Sequence, residues 1–283
     1  MATWRSFFPL RKGANNMAAT VQTDFCRVEN KYFIDADKVP AFLTAIKEHL
    51  DIDPYAKALG YYQVNTIYFD NSRDDVVYRS LSSPTYKCKL RLRSYGGEKP
   101  IYFLEFKKKF KSDVYKSRIF LSKTQYEDFV QKGRLPDLNG EFKHDHFLIE
   151  LADMVRRYGT LKPREVIQYK RQAFMNKEGE QTLRLTIDSN IAVRRENFEL
   201  NQLSGSPLLP KGKLLIEIKL ERALPVWLAT ALTTAGAFRG SYSKYGSSYG
   251  EFMAGELNKD GAIPLTAPSA YPQASPSLAS SRS

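Results

Sequence analysis

Residues 87 to 93 read KCKLRLR, and an extended strand is the conformation that sorts them. Successive side chains of a strand point to opposite faces, so Lys87, Lys89, Arg91 and Arg93 share one face while Cys88, Leu90 and Leu92 share the other. The same alternation recurs along the chain. Glu105, Lys107 and Lys109 fall together in EFKKK, Lys116 and Arg118 in YKSR, Tyr169 and Arg171 in YKRQAF, and Arg184, Thr186 and Asp188 in RLTID. Glu217 shares a face with Lys219 in IEIK, and Glu29 with Lys31 in VENK. Segments rich in β-branched and aromatic residues carry this pattern at about eight places between Phe25 and Leu220, the number of strands that closes an antiparallel barrel around side chains or one ligand.

Helical periods interrupt the strands. DKVPAFLTAIKEHL places Val39, Phe42, Leu43, Ile46 and Leu50 on one helical stripe behind Asp37. HFLIELADMVRRYG predicts a second helix over about 146–159, and PVWLATALTTAG a third, opening at Pro225 and closing at Gly236. The reading is α+β: one β-rich domain over residues 25–257 with peripheral helices and no internal repeat. The leader, residues 1–24, is basic without acidic residues and is expected to be disordered, or to reflect a start at Met17; the Pro/Ala/Ser-rich tail from residue 258 to 283 is expected to be disordered too.

A single charged strand face is ordinary on a solvated sheet. Here the opposite faces, such as Ile216, Ile218 and Leu220, need covering, and the helices are available to cover them. With helices outside, the charged faces point inward. Burying so many unpaired cations exceeds a domain's net stability of about 5–15 kcal/mol. The interior is therefore expected to be wet and open to an anionic ligand. The net charge of +12, from 43 Lys and Arg against 31 Asp and Glu, favours polyanionic partners as well.

Carboxylates refine that expectation. Glu29, Glu105 and Glu217 each precede a lysine by two residues, on the same faces. A hard divalent cation that bridges phosphate oxygens needs such ligands, so cations and carboxylates together point to metal-assisted phosphate chemistry. No GxxxxGK[ST] loop or strand-following GxGxxG is present, and SYGGEKP reads as a hairpin turn. His144 and His146 read as surface residues, and Cys26 and Cys88 as small buried hydrophobes in a reducing compartment. No apolar run approaches the ~20 residues of a membrane span.

The ordered set VENKYFI, NTIYFD, KLRLRSYG, FLEFKKK, YKRQAF, RLTID, LIEIKL and YSKYGSSY resembles the VTC domain, the polyphosphate polymerase domain of the vacuolar transporter chaperone family. That family belongs to the triphosphate tunnel metalloenzymes, related to CYTH phosphatases and cyclases. The resemblance runs from Phe25 to Met253 and implies an antiparallel β-barrel tunnel that moves the γ-phosphate of ATP onto a growing polyphosphate chain with Mn²⁺ or Mg²⁺. By match, Arg91, Arg93, Lys107, Arg171, Arg184 and Lys244 hold the reacting phosphates. Lys31, Lys89, Lys116, Arg118 and Lys219 join them, and Tyr169 bonds a phosphate oxygen. Glu217 is the principal metal ligand, with Glu29 and Glu105 supporting it.

RVENK departs from the ExExK opening of tunnel triphosphatases, with Arg27 at the first Glu, which favours holding a polyanion over hydrolysing it. Neither an SPX domain nor the membrane helices of the fungal complex are expected in these 283 residues, so regulation and translocation are expected from elsewhere, including a separate membrane partner. A cytoplasmic location, alone or beside a membrane complex, is the expectation. Two alternatives stay open at this stage: hydrolysis of tripolyphosphate or a nucleoside triphosphate, and a polyphosphate-binding module without turnover. A nucleic-acid partner ranks below these, because no base-stacking surface is evident.

Overall fold

The computed structural model describes residues 28–57, 59–96, 100–111, 113–132, 146–177, 183–200 and 204–259. The leader, Cys26, Arg27, His144 and the tail beyond Lys259 lie outside the described residues, as does the side chain of His146.

Among the described residues eleven antiparallel strands form one sheet, and eight of them are long. These are β1 (Val28–Asp35), β3 (Tyr62–Asp70), β4 (Tyr86–Tyr95), β5 (Ile101–Phe110), β6 (Asp113–Leu121), β7 (Lys162–Asn176), β8 (Leu183–Arg194) and β10 (Lys213–Leu220). Of the short strands, β11 (Phe238–Arg239) lies at the edge beside β1, while β2 (Leu50–Ile52) pairs with one end of β7 and β9 (Ser206–Pro207) with one end of β8. In space the order is β11-β1-β10-β8-β7-β3-β4-β5-β6. The chain is thus α+β around a large antiparallel sheet.

Register carries the alternation across every strand. Glu29 lies opposite Lys219 and Lys31 opposite Glu217; Glu217 in turn faces Thr186, and Lys219 faces Arg184. Arg171 lies opposite both Asp188 and Tyr62. Tyr68 pairs with Arg91, Arg91 with Glu105, Glu105 with Arg118, and Lys107 with both Lys89 and Lys116. Residues directly opposite in a ladder share a face, so one continuous face collects the charged positions of all eight long strands. β8 carries one extra residue against β7 between Ser189 and Ala192, where Asn190 takes φ 52°. The extra residue shifts the alternation by one, so that Ile191 and Val193 beyond it stand on the same face as Asp188 before it.

The other face is apolar and is covered by helices. Tyr32, Ile34, Ile216, Ile218, Leu185 and Ile187 pack under α1 (Val39–Ile46) and α5 (Val226–Thr234), through Phe42, Ile46, Leu228 and Leu232. Cys88, Leu90, Leu92, Leu104 and Phe106 pack under α3 (Lys123–Lys132) and α4 (His146–Tyr158), the latter contributing Phe147, Leu151 and Met154 at helical spacing. Helices α1, α4 and α5 are the three that the sequence periods predict, except that α1 ends at Ile46 and Leu50, expected on its stripe, opens β2 instead. Three more appear: α2 (Asp75–Ser82), α3 and α6 (Lys244–Lys259).

Tertiary hydrogen bonds, together with the buried side chains of Val76 and Val77, fix α2. The buried Asp70 carboxylate at the end of β3 accepts the backbone N–H groups of Val76 and Val77, each at 2.9 Å, and so satisfies donors that a helix start leaves open. Farther along α2, Ser80 Oγ donates to the carbonyl of Cys88 at 2.8 Å and accepts its N–H at 3.0 Å. No helix among the described residues is long and apolar enough to cross a membrane.

Candidate phosphate site on the charged face

The charged face curls upon itself. Lys107 of β5 interacts electrostatically with Glu29 and Lys31 of β1 and Glu217 of β10, although four or more strands separate them along the sheet. Lys31 likewise influences Lys89 of β4. Fourteen of the fifteen residues expected at the site lie on this one strand face, and the fifteenth, Lys244, reaches Asp188 and Glu217 there from α6.

The approach to α6 explains how. β11 pairs with β1, the Gly240 N–H donates to the carbonyl of Lys31 at 3.0 Å, and a Cβ at Gly240 would come within 2.7 Å of the Phe33 ring. Only glycine lets the chain pass so close. Ser243 then caps α6, its Oγ accepting the Gly246 N–H at 3.1 Å, and the same oxygen accepts from Lys89 Nζ at 2.9 Å. Lys31 Nζ donates to the carbonyl of Tyr242 at 2.7 Å. Next on the helix, Tyr245 stacks on Tyr68 with centroids 4.3 Å apart and donates to Asp70 Oδ2 at 2.9 Å. One turn on, Ser248 Oγ donates to Glu165 Oε2 at 2.7 Å.

At the centre stand two cations and two carboxylates. Arg171 donates to both oxygens of Asp188, at 2.6 and 2.7 Å, and its Nη2 lies 3.5 Å from Glu217 Oε2. Lys244 Nζ is 2.7 Å from Asp188 Oδ2 and 3.1 Å from Glu217 Oε1. Burial alone raises a carboxyl group's pKa, but Lys244, Arg171, Lys31 and Lys219 hold Glu217 well below the usual range. Burial also opposes charge on Arg171 and Lys244, and Asp188 with Glu217 keeps both firmly protonated. The buried ring of Tyr169 lies 4.7 Å from Lys244 Nζ and 5.1 Å from the Arg171 guanidinium, a π-face under two cations.

A second cluster forms on β4–β6. Glu105, fully buried, accepts from Arg91 Nε at 2.9 Å; Arg93 Nη1 lies 3.6 Å from the same oxygen and Lys116 Nζ 3.1 Å from the other. Against the burial that raises it, these three cations bring Glu105 down to about 2. Glu29 sits elsewhere, 3.3 Å from Lys31 Nζ and 3.9 Å from Lys219 Nζ, diagonally across from Glu217 on the neighbouring strand. The three expected metal carboxylates are thus divided: Glu29 with Glu217, and Glu105 among arginines. Among the described residues no group of three or more His, Cys, Asp or Glu gathers as a metal site.

The remaining cations are under electrostatic pressure. Burial first, then Lys107, Arg91, Lys31 and Lys87, pushes Lys89 down to about 7. Burial also lowers Lys107 and Lys219. Arg184 is the outlying member, its side chain half exposed and 3.3 Å from Asp53 Oδ2. Arg118 lies 4.9 Å above the Phe103 ring.

Sequence reasoning left Asp188, Asp53, Ser243 and Glu165 without roles. Asp188 carried a signal, its place on the charged face of RLTID. Ser243 and Asp53 act through contacts between distant segments that no local period reveals.

A family model described as the VTC domain matches residues 26–252. Among solved structures, a "putative adenylate cyclase" from Bacillus halodurans aligns over 77% of this chain and 93% of its own, at 14% identity and a TM-score of 0.46. The PH1819 protein from Pyrococcus horikoshii OT3 aligns over 82% of this chain and 99% of its own, at 13% identity and a TM-score of 0.38. No curated protein matches the sequence. With its motifs on one cationic sheet face and the family model spanning most of its length, the chain belongs to the VTC domain family.

Proposed function

We propose that this chain is a metal-dependent polyphosphate polymerase, transferring the γ-phosphate of ATP to the end of an inorganic polyphosphate chain inside a tunnel that the eight long strands enclose, with residues 25–257 as the working unit. The observation that carries the reading is the single curled face on which Lys31, Lys89, Arg91, Lys107, Arg171 and Lys219 converge with Glu29 and Glu217. Burial is the first cause of the lowered pKa values of Lys89, Lys107 and Lys219, with repulsion from neighbouring cations added to it, and a ligand with several negative charges in a row relieves both.

Chemically the transfer breaks the bond between the γ-phosphorus and the β,γ-bridging oxygen and forms one to a terminal phosphate oxygen of the polymer. ADP leaves with the bonding pair. The acceptor oxygen is already anionic at neutral pH, so no protein nucleophile or base is required, and positioning with charge neutralisation supplies the rate. Arg171 and Lys244, fixed by Asp188, are rigid donors for the transferring group; Arg91 and Arg93, fixed by Glu105, are rigid donors for its neighbour. Of the expected metal ligands, Glu29 and Glu217 share a face on adjacent strands and would hold a hard cation completed by phosphate oxygens, with Glu217 giving up its contacts to Lys244 and Arg171 as those cations turn to phosphate. Glu105, engaged by three cations and without exposure, would not. When bound, Mn²⁺ or Mg²⁺ neutralises charge on the phosphate oxygens.

The test is incubation of the full chain with γ-labelled ATP and Mn²⁺, with and without a short polyphosphate primer, resolving products on a gel. A lengthening ladder that disappears with EDTA and in Glu217→Gln supports the polymerase. Labelled orthophosphate alone makes the protein a tunnel triphosphatase, and tight tripolyphosphate binding without turnover leaves a binding module.

A further inference from the structure

Strands β4, β5 and β6 reach past the strand beside them. β3 accompanies β4 only as far as Phe69 opposite Leu90, so Tyr86–Lys89 and the ends of β5 and β6 that pair with them project by four residues, about 13 Å. A tight turn closes this tip, with Phe110 opposite Asp113 and Lys111 at φ 53°. The Lys111 N–H donates to the carbonyl of Thr85 at 2.7 Å, which seats the turn against the segment that follows α2.

Large apolar side chains stand open on the tip. Phe110 is 50% exposed, Val114 56% and Tyr115 59%, and Leu81 beside them at the end of α2 is exposed too. Register puts Phe110 and Tyr115 on the helix-bearing face and Val114 on the other, in line with Lys109 and Lys87. Residues 82–89 and 107–118 hold eight basic residues against a single acidic one, Asp113. Lys108 is neutralised by Glu150 at 3.0 Å, whereas Lys87, Lys109 and Lys111 are exposed and form no ion pair among the described residues.

Lysines on an edge strand deter pairing with another chain, which accounts for Lys116 on β6. Lys109 lies on β5 between two strands and Lys111 in the turn, where that role does not reach. A soluble polyanion would engage these lysines and gain nothing from Phe110, Val114 or Tyr115. An apolar protein groove would take the rings and leave the charges unmatched. A lipid surface with anionic headgroups takes both, because aromatic and aliphatic side chains enter the boundary of headgroup and acyl chain while lysines extend to the phosphates.

We propose that the β4–β6 tip docks the protein on membranes that carry anionic phospholipids, with Phe110, Val114 and Tyr115 entering the interface and Lys87, Lys109 and Lys111 engaging the headgroups. None of these six residues belongs to the phosphate-transfer set, so docking and turnover fail separately.

The experiment is co-sedimentation of the full chain with vesicles of phosphatidylcholine alone and of phosphatidylcholine mixed with phosphatidylserine. Two tip variants are compared with wild type, Lys87→Gln/Lys109→Gln/Lys111→Gln and Phe110→Ser/Tyr115→Ser. A control, Lys47→Gln/Lys57→Gln/Lys177→Gln, removes the same charge from exposed positions at the opposite end of the sheet, where β2 pairs with the end of β7. Wild type is expected to bind the mixed vesicles and not phosphatidylcholine alone. Each tip lysine is worth about fivefold, so the triple variant should bind roughly a hundredfold more weakly. The aromatic pair should cost about tenfold at unchanged net charge, and the control should keep most of its affinity. Equal losses in the tip and control lysine variants would reduce the binding to net charge and overturn the proposal. Unchanged binding in Phe110→Ser/Tyr115→Ser would overturn it too, leaving a patch for soluble polyanions. A wild type that ignores both vesicles refutes membrane docking and leaves the tip to a protein partner.

Discussion

Lys244 Nζ stands 2.7 Å from Asp188 Oδ2, joining the first residue of a late helix to a fully buried carboxylate in the middle of the sheet. Asp188 also receives two hydrogen bonds from Arg171, so one aspartate orients the two cations nearest Glu217.

Asp188→Asn is expected to cost about 3 kcal/mol, because removing one partner of a buried ion pair leaves charge uncompensated. Urea unfolding followed by circular dichroism measures it. A loss under about 1 kcal/mol would show that packing of Tyr245 on Tyr68, rather than this ion pair, anchors α6.

Glu105 governs the acid limb of stability. Its carboxyl sits at about 2 in the folded protein against an ordinary 4.5, so the unfolded chain takes up the proton first as pH falls. The group's contribution is complete above pH 4.5 and is lost as pH falls from there to 2, about 3 kcal/mol in all. Glu105→Gln should flatten the stability profile across that window; an unchanged slope refutes the assignment.

Glu165 acts with the opposite sign. Burial raises its carboxyl to about 8, so the folded chain keeps a proton that the unfolded chain releases near 4.5. Stability from this group therefore declines as pH rises between those values. Glu165→Gln replaces a neutral acid by a neutral amide, and it should make the protein more stable than wild type at pH 8 and nearly equal at pH 5. Melting temperatures at the two pH values decide it.

Lys89, held down at about 7 by burial and neighbouring cations, should gain a proton when a polyanion neutralises those neighbours. Tripolyphosphate binding at pH 8 is expected to draw protons from solution. Calorimetry in two buffers of different ionisation enthalpy should give different apparent heats for wild type and a smaller difference for Lys89→Met. Equal heats in wild type would sink the account.

Much of this arrangement is written in local pattern. The alternation in KCKLRLR, EFKKK and RLTID predicts both faces of β4, β5 and β8, because period two is a property of the single strand. Helices α1, α4 and α5 are legible because their apolar residues recur at helical spacing. Helix α6 is not, since KYGSSYGEF is rich in Gly and Ser and its anchoring residues, Lys244, Tyr245 and Ser248, bury polar atoms against partners far away in sequence. The split of the carboxylates is hidden for the same reason. Glu29, Glu105 and Glu217 look alike beside their lysines, and only the register shows that Glu105 faces Arg91 and Arg118 while Glu29 and Glu217 lie on adjoining strands.

The reciprocal hydrogen bonds between Ser80 and Cys88 have a consequence for solubility. β3 runs alongside β4 only as far as Phe69 opposite Leu90, which would leave the backbone of Cys88 as an open template for another chain. One hydroxyl occupies both its donor and its acceptor, doing with a side chain what an adjoining strand does elsewhere. The sheet is thereby sealed where its neighbour ends, and Ser80→Ala should expose a sticky margin whose first symptom is self-association during refolding.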